Sequence, residues 1–277
     1  MNKFFRESSV PPEQLLEEAF SGEIEIPYID QLVDEGLEYA VPIAFSPATL
    51  DQAVWWDFHV QPTIVGMEDR ADRFWSWTAI LTAIALSQKI KGVETEAVSL
   101  LVEGANQRPY PVAMMLLLRD YPMPSGDTDG CFVYFLATMP KQLYAKYELL
   151  PLASLGRAVI DGAVVYSWNC GYQAHMGLHA ARIKHNRNSH ERLYRFYRDT
   201  CGMTAVDEGV EIPYRRRNDG RFFYFKRRDA VFFLRNNTRC STRGKGGDAG
   251  FRPSLTDGFS SYDFFDELLQ LLDQEVS

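Results

Sequence analysis

The stretch LGRAVIDGAVVYSWNCGYQAHMGLHA, residues 155–180, decides the predicted fold of this chain. It predicts a helix that begins at Ser154 and ends at Gly171, followed directly by a strand over 173–180. The preceding apolar stretch CFVYFLATMP, residues 131–140, predicts a strand that is buried on both faces, as in the centre of a covered sheet. A strand, a loop, a helix and a second strand in this order indicate an α/β domain.

Hydrophobic periodicity on either side of this unit predicts the other elements. Upstream, these are a helix starting at Ser46-Pro47, a long helix within 68–92 with Phe74 and Trp77 on its apolar stripe, and strands over 96–104 and 109–122. Downstream, they are a helix over 189–201, strands within 213–235 with a turn at Asn218-Asp219-Gly220, and a C-terminal amphipathic helix over 261–276. We therefore expect an N-terminal extension (1–50), one mixed domain (51–235) and a polar loop with a helical tail (236–277).

The composition disfavours some partners and compartments. The chain has 277 residues and a net charge of −8, from 37 acidic and 29 basic residues, which disfavours nucleic acid as the main partner. Two basic runs, 215–217 and 226–228, leave a local basic patch open. The N-terminus lacks the pattern of a secretory signal, and no apolar run approaches the roughly 20 residues that cross a bilayer. Four dispersed cysteines indicate reduced thiols, so we expect a cytoplasmic protein without a membrane partner.

The start of the helix after residue 153 has the character of an anion site. The first turn of a helix has free N–H groups and a partial positive charge, and small residues let an anion approach closely. Ser154-Leu155-Gly156-Arg157-Ala158 combines small residues with a basic side chain, so it predicts a site for a pyrophosphate. The alternative is structural, because Ser154 is also an ordinary N-cap and Gly156 permits tight packing of helix on sheet.

These segments resemble the GNAT superfamily of acetyl-CoA-dependent N-acetyltransferases. The resemblance covers roughly residues 55–230 and rests on four stretches in the family's order: CFVYFLATMP, PLASLGRAVIDGAVV, GYQAHMGLHA and LYRFYRDTCGM. It implies a mixed, mostly antiparallel central sheet flanked by helices, with acetyl-CoA as co-substrate.

The resemblance also implies which residues bind the co-substrate. Backbone groups of one strand would pair with the pantetheine arm, and the loop and helix start would hold the pyrophosphate; these residues are Leu136, Ala137, Thr138, Ser154, Leu155, Gly156, Arg157 and Ala158. The family's Q/R position falls on Pro151 and its first glycine on Ser154, while its second glycine is retained as Gly156. The loop over 139–153 is longer than usual, so the cofactor site departs in part from the family pattern.

Three residues are candidates for catalysis. The family's general acid falls on Tyr197, with Tyr194 in reserve, although Tyr197 lies one residue further from Gly202 than usual. A phenol with a pKa of roughly 10 is protonated at neutral pH and can protonate a departing thiolate. Glu103 and His179 are candidates for the base that keeps the amine neutral. The alternatives are an aromatic core residue for Tyr197 and a solvated strand end for Glu103.

Other patterns give weaker signals. His175 and His179 would lie about 13 Å apart on one strand face, too far to share an ion, so we predict no metal site. The segment GKGGD at 244–248 lacks the upstream glycine and the following Ser or Thr of a P-loop. Tryptophans precede the central strands and could line a pocket or pack in the core: Trp55, Trp56, Trp75 and Trp77.

The sequence therefore predicts an N-acetyltransferase that moves acetyl from acetyl-CoA to a primary amine by direct attack. The acceptor would be an amine-bearing small molecule, a peptide or a protein, and a homodimer is compatible with the apolar C-terminal segment. The alternative is a catalytically silent GNAT-fold protein that binds CoA or a protein partner, because Pro151 and Ser154 depart from the motif.

Overall fold

The computed structural model describes residues 31–33, 40–91, 95–124, 129–150, 152, 154–181, 187–212 and 216–237. The strands in these ranges are β1 (Gln31–Val33), β2 (Ala40–Pro47), β3 (Thr95–Glu103), β4 (Pro109–Pro122), β5 (Asp129–Thr138), β6 (Met176–His179), β7 (Thr204–Ala205), β8 (Glu211–Ile212), β9 (Arg216–Arg217) and β10 (Phe222–Phe225). The helices are α1 (Leu50–His59), α2 (Gln61–Val65), α3 (Trp77–Lys91), α4 (Leu155–Asn169), α5 (Arg187–Arg195) and α6 (Arg227–Asn236). The predicted C-terminal helix and the GKGGD loop lie outside the described residues.

Eight strands form one sheet in the order β1-β2-β3-β4-β5-β6-β10-β7. Its neighbouring strands are antiparallel except β5 and β6, which are parallel and are connected through α4. The mixed, mostly antiparallel sheet expected from the sequence is therefore confirmed. A separate pair, β8 and β9, lies outside it.

Helices cover both faces of the sheet. On one face, the Tyr166 hydroxyl of α4 donates to Glu96 of β3 at 2.8 Å. On the other face, the Ser99 hydroxyl of β3 donates to Gln52 of α1 at 2.8 Å. Glu96 and Ser99 are three residues apart on one strand, so they point to opposite faces. We call these the α4 face and the α1 face.

The first two predicted helices begin later than the sequence pattern indicates. Ser46 and Pro47 belong to β2, and α1 starts after Thr49, where Thr49 and Gln52 exchange hydrogen bonds of 3.0 and 3.2 Å in a capping box. The long helix starts at Trp77 rather than near 68, because the Asp57 carboxylate of α1 accepts from the Trp77 amide at 2.8 Å. The predicted apolar stripe was wrong in part, since Phe74 is exposed.

Two predicted strands differ from the structure. The strand expected over 173–180 is limited to β6, because Gln173 and Ala174 adopt left-handed conformations that interrupt an extended chain. The strands expected throughout 213–235 end at Phe225 and give way to α6. The buried residues Ala230, Phe233 and Leu234 follow helical spacing, which explains the difference.

The sheet includes part of the segment that the sequence assigned to an N-terminal extension. β2 pairs with β3, and the Phe45 ring of β2 packs against Gly162 of α4. A Cβ at Gly162 would lie 2.3 Å from two ring atoms of Phe45, so only glycine fits without a shift of that ring. Trp56 and Trp77 are both fully buried, which favours core packing over a pocket for these two residues.

We expect Gly162→Ala to lower the free energy of unfolding by about 1–3 kcal/mol, because the added methyl overpacks the contact with Phe45. Urea unfolding of the variant measures this cost. The matched control is the same change in a Phe45→Ala background, where the cost should largely disappear. Equal costs in both backgrounds would show that the β2–α4 contact does not account for the glycine.

Candidate functional site

The parallel pairing of β5 and β6 covers residues 131–133 and 176–178. β5 then continues to Thr138, whereas β6 ends at His179. Because β6 stops short, the β6-facing edge of residues 135–138 has no strand partner in the described part of the chain. Ligands of open α/β sheets bind outside the carboxyl ends of parallel strands. We call the space beside this edge the strand cleft.

Backbone alternation decides which residues of β5 face the strand cleft. The Met139 amide donates to the Val112 carbonyl of β4 at 2.8 Å. Backbone groups of successive strand residues point alternately to the two sides, so Ala137 faces β4 as Met139 does. Leu136 and Thr138 therefore turn their backbone groups toward the cleft.

Arg70 contacts the open end of the cleft. Its Nη2 donates to the Thr138 carbonyl at 2.9 Å, and its Nε donates to Asp72 at 2.7 Å. The buried Gln61 side chain fixes this turn by donating to the carbonyls of Asp72 and Arg73 at 2.7 and 2.9 Å. A ligand that paired with the Thr138 carbonyl would have to share it with the guanidinium.

A β-bulge lies beside the closed end of the cleft. The register of β4 and β5 shifts between Leu116 and Leu117, which leaves Tyr134 outside the ladder. The cleft closes where Val133 pairs with Leu178, one residue before the bulge. Bulges redirect side chains and are frequent next to active sites.

The N-terminus of α4 follows β5, and because α4 connects two parallel strands, the topology brings this N-terminus to the edge where those strands end. Ser154 precedes it in a left-handed conformation, with φ +57° and ψ +23°, and its side chain makes no capping hydrogen bond. The ordinary N-cap reading of Ser154 is therefore wrong. A left-handed position favours glycine, which is the residue that the resembled family has there.

The other residues of this first turn have different surroundings. Leu155 and Ala158 are buried in the core, so only their backbone groups could meet an anion. A Cβ on Gly156 would lie 3.1 Å from the Phe196 ring, so the glycine also permits helix packing. Arg157 is half-buried and influences a neighbouring thiol: burial raises the pKa of Cys201 to about 12, and the Arg157 charge acts in the opposite direction.

Tyr197 lies beside this turn, just after α5. Residues Phe196–Thr200 form a turn of π-helix, in which the Cys201 amide donates to the Phe196 carbonyl at 2.9 Å. A π-turn holds one residue more than an α-turn, which explains why Tyr197 is one residue further from Gly202 than the family pattern. Tyr194 stays on α5.

The Tyr197 phenol is desolvated and stays protonated. Its ring lies 5.4 Å from the Phe223 ring, and burial, assisted by the nearby Cys201, raises the pKa of its hydroxyl. Tyr194 also lies against Phe223, at 5.1 Å, with the Arg198 guanidinium 5.0 Å from its ring. Both tyrosine rings therefore pack against Phe223, Tyr194 from α5 and Tyr197 from the π-turn that follows it. Tyr197 is the more deeply buried of the two.

His179 ends β6 and is hydrogen-bonded to a carboxylate. Its Nε2 lies 2.9 Å from Asp219 Oδ1, and the Arg221 Nε donates to Asp219 Oδ2 at 2.7 Å. Burial acts to raise the pKa of the Asp219 carboxyl, but hydrogen bonds from Arg221 and His179 bring that pKa below its ordinary value. The carboxylate is therefore charged at neutral pH.

Tyr197 and His179 lie on opposite faces of the sheet near the closed end of the cleft. Phe223, which contacts Tyr197, pairs with Leu178, and Phe222 pairs with His179. Successive strand residues alternate between faces, so His179 shares the face of Phe222 and not that of Phe223. The Tyr197 ring and the His179 side chain thus lie against β10 and on β6, on opposite faces of the sheet.

The structure places Glu103 on a strand distant from Tyr197 and His179. Glu103 is exposed at the end of β3, opposite Pro109. β3 is two strands from β5, a lateral distance of about 10 Å. Its exposure agrees with the alternative reading of a solvated strand end.

His175 and His179 have different hydrogen-bond partners. His175 bonds through Nδ1 to the Tyr172 carbonyl at 2.9 Å, whereas His179 faces Asp219. Within the described ranges, no group of His, Cys, Asp and Glu side chains could hold a metal ion. In the same ranges, no helix has the length and apolar character needed to cross a membrane.

Sequence reasoning missed Asp219, Arg221 and Arg70. Asp219 and its neighbours Asn218 and Gly220 were predicted only as a turn. Asp219 lies forty positions from His179, so strand pairing alone brings the two together. A local pattern has no signal for such a pair.

Several solved structures resemble this fold. A spermidine N-acetyltransferase from Vibrio cholerae, in complex with CoA and spermine, is 12% identical over 68% of this chain and 98% of its own, with a TM-score of 0.39. A GNAT-family acetyltransferase from Staphylococcus aureus Mu50 is 12% identical over 66% of this chain and 97% of its own, with a TM-score of 0.35. The Y144F mutant of the toxin AtaT, bound to the C-terminus of the antitoxin AtaR and to acetyl-CoA, is 12% identical over 69% of this chain and 98% of its own, with a TM-score of 0.39.

These structural neighbours are acetyltransferases of the GNAT family that the sequence resembles. No protein-family model matches the chain, and no curated protein matches it significantly. Because identities and TM-scores are low, the function proposed below rests on the residues of this chain.

We expect Ser154→Gly to raise the free energy of unfolding by about 0.5–1 kcal/mol, because glycine adopts the left-handed conformation without strain. Urea unfolding measures the gain. Ser154→Ala is the matched control, since alanine retains the strain and should bring no gain. Destabilisation by glycine would mean that the serine hydroxyl has a role that outweighs the strain.

Proposed function

We propose that this protein is an N-acetyltransferase that transfers acetyl from acetyl-CoA to a primary amine. The observation that supports this best is the strand cleft, closed at Val133 and Leu178 and bordered at its open edge by the N-terminus of α4. A cleft beside one strand edge suits a linear arm, and a helix N-terminus suits a phosphate at its end.

The described residues fit acetyl-CoA as substrate. The Ser154 side chain makes no capping hydrogen bond, and we assign the pyrophosphate to the backbone amides of this first turn. Leu136, and Thr138 in exchange with Arg70, would pair with the pantetheine arm. Ala137 faces β4 and would contribute through packing, while Ser154, Gly156 and Ala158 shape the turn.

The proton transfers are assigned to the residues on the two sides of the cleft. The amine nitrogen attacks the thioester carbonyl carbon, so that a C–N bond forms and the C–S bond breaks. His179 accepts the proton that the nitrogen loses, from the α1 face. Tyr197 gives its proton to the departing thiolate, from the α4 face. Glu103 stays a second candidate for the base, from a more distant position.

Direct attack in a ternary complex is the simplest sequence of steps for this arrangement. The described cysteines nearest α4, Cys131, Cys170 and Cys201, are free, and Cys201 is buried with a raised pKa. A buried neutral thiol is a poor nucleophile, so an acyl-enzyme on Cys201 is disfavoured.

The acceptor is an amine of a small molecule, a peptide or a protein. A net charge of −8 favours cationic amines over nucleic acid. We further propose that the protein is cytoplasmic and able to form a homodimer. Residues 51–235 would form the catalytic domain, and β2 would belong to it as well because it pairs with β3.

A second candidate function is a catalytically silent GNAT-fold protein that binds CoA or a protein partner. Arg70 favours it, because its guanidinium already bonds to the Thr138 carbonyl that a pantetheine arm would use. In that case the protein would show no turnover with any amine.

Calorimetry should detect acetyl-CoA binding by the native protein and a loss of about tenfold or more in affinity for Ser154→Glu. The carboxylate would repel the pyrophosphate at the start of α4. Ser154→Gln has the same size without the charge and should bind nearly as the native protein does. Position 156 is unsuitable for this test, because a side chain there meets Phe196. Equal affinities for the Glu and Gln variants would contradict the phosphate site.

Tyr197→Phe should lower kcat by about 100-fold or more, because the leaving thiolate loses its proton donor. Release of CoA thiol with a panel of primary amines measures turnover, and calorimetry should give an unchanged acetyl-CoA affinity. Tyr194→Phe is the control and should retain turnover. A fully active Tyr197→Phe variant would exclude the phenol as the acid.

A further inference from the structure

Two cysteines lie close together where α4 returns the chain to the sheet. Cys131 opens the pairing of β5 with β6, opposite Met176, and Cys170 is the C-cap residue of α4. The Cys131 amide donates to the His175 carbonyl at 3.0 Å, and the Ser167 hydroxyl of α4 donates to the same carbonyl. One carbonyl thus ties the last turn of α4 to the first residue of the β5–β6 ladder, which brings the two cysteines together.

The two thiols share a hydrogen bond. The Cys131 thiol is fully buried and donates to the sulfur of Cys170, which is half-buried at the end of its helix. Both cysteines are free thiols. Sulfur atoms in hydrogen-bonding contact need only a short approach to reach the length of a disulfide bond, about 2 Å. Each thiol therefore has a second thiol within its reach.

The surroundings make the two thiols unequal. Burial raises the pKa of Cys131 well above its ordinary value, so this thiol stays protonated. The pKa of Cys170 is lowered, first of all because the Cys131 thiol donates a hydrogen bond to its sulfur. Burial and the Glu96 charge oppose this effect, whereas the Tyr166 hydroxyl and the Arg119 charge assist it. Cys170 is therefore the thiol that ionises more readily and the one that solvent reaches.

A bulge in β4 explains the position of the cation. The register of β4 and β5 shifts between Leu118 and Tyr121, so that Arg119 and Asp120 together oppose Cys131. A pair of thiols packed in the core would account for the burial of Cys131, but not for a half-exposed partner beside a guanidinium. An accessible thiolate with a second thiol next to it is the combination found at cysteines that oxidants modify.

We propose that Cys131 and Cys170 form an oxidation-sensitive dithiol, which a peroxide converts into a disulfide. The Cys170 thiolate attacks one oxygen of hydrogen peroxide: an S–O bond forms, the O–O bond breaks, and the leaving hydroxide takes up the proton that the Cys170 thiol released. The Cys131 sulfur then attacks the sulfur of this sulfenic acid: the S–S bond forms, the S–O bond breaks, and the hydroxide leaves as water with the Cys131 proton. Two thiols and one peroxide give one disulfide and two waters.

The dithiol is independent of the proposed acetyl transfer. Cys131 lies near the start of β5, whereas the strand cleft lies beside residues 135–138 at the other end of that strand. The disulfide would join the end of α4 to the beginning of the β5–β6 pairing. Its formation can therefore be measured whether or not the protein transfers acetyl groups.

Peptide mapping of the full-length native protein tests the disulfide. The reduced protein is treated with hydrogen peroxide at neutral pH, unfolded in acid, alkylated and digested without reduction. Mass spectrometry should find the peptide of Cys131 linked to the peptide of Cys170, and dithiothreitol should reverse the link. The buried Cys201, whose pKa burial raises to about 12, is the internal control and should be oxidised on the order of tenfold more slowly. Cys240→Ser should leave the link unchanged.

Two variants test the order of the steps. Cys131→Ser keeps a hydroxyl donor but has no sulfur to close the disulfide, so oxidation should stop at the Cys170 sulfenic acid, which dimedone labels. In Cys170→Ser, Cys131 should stay reduced. A folded Cys131→Ser protein without the label on Cys170 would contradict Cys170 as the thiol that attacks the peroxide.

The native protein alone decides whether the disulfide forms, so the test does not depend on the folding of a variant. The proposal is overturned if Cys131 and Cys170 both stay reduced while Cys201 is oxidised. A link from either of them to Cys201, to Cys240 or to a second copy of the chain, in place of the link between them, overturns it as well.

Discussion

The short parallel pairing of β5 with β6 is the constraint on which the rest of the site depends. Parallel neighbours cannot be joined by a hairpin, so the chain must cross the sheet between them, and α4 makes that crossing. The crossing returns the helix N-terminus to the edge where both strands end. Because the pairing stops after three residues on each strand, that edge opens into a cleft instead of a closed ladder.

The departures from the family motif lie in the side chains more than in the backbone. Ser154 occupies a left-handed position that glycine would fill without strain. The extra residue before Gly202 is absorbed by a π-turn, which keeps Tyr197 against Phe223. In both places the backbone conformation accounts for the difference in residue or spacing.

In the proposed transfer, the two faces of the sheet divide the proton-transfer roles between Tyr197 and His179. Tyr197 is desolvated among aromatic rings, which favours its neutral form and suits a proton donor. His179 is partly exposed and faces a carboxylate, which suits an acceptor of positive charge. Arg70 adds a constraint at the open end of the cleft, since its hydrogen bond to Thr138 must be shared with any arm that pairs there.

The sequence by itself determined the elements whose hydrophobic pattern is local. β3, β4, β5 and α4 lie within two residues of their predicted ends, because each buries a face whose period is visible in the chain. Only the tertiary structure decided where α3 begins, since its cap comes from Asp57 on another helix. Only the tertiary structure also decided that Asp219 is the hydrogen-bond partner of His179. The two residues lie forty positions apart and meet because β6 pairs with β10. Contacts between distant segments depend on strand register, and register is a property of the assembled sheet rather than of any one stretch of sequence.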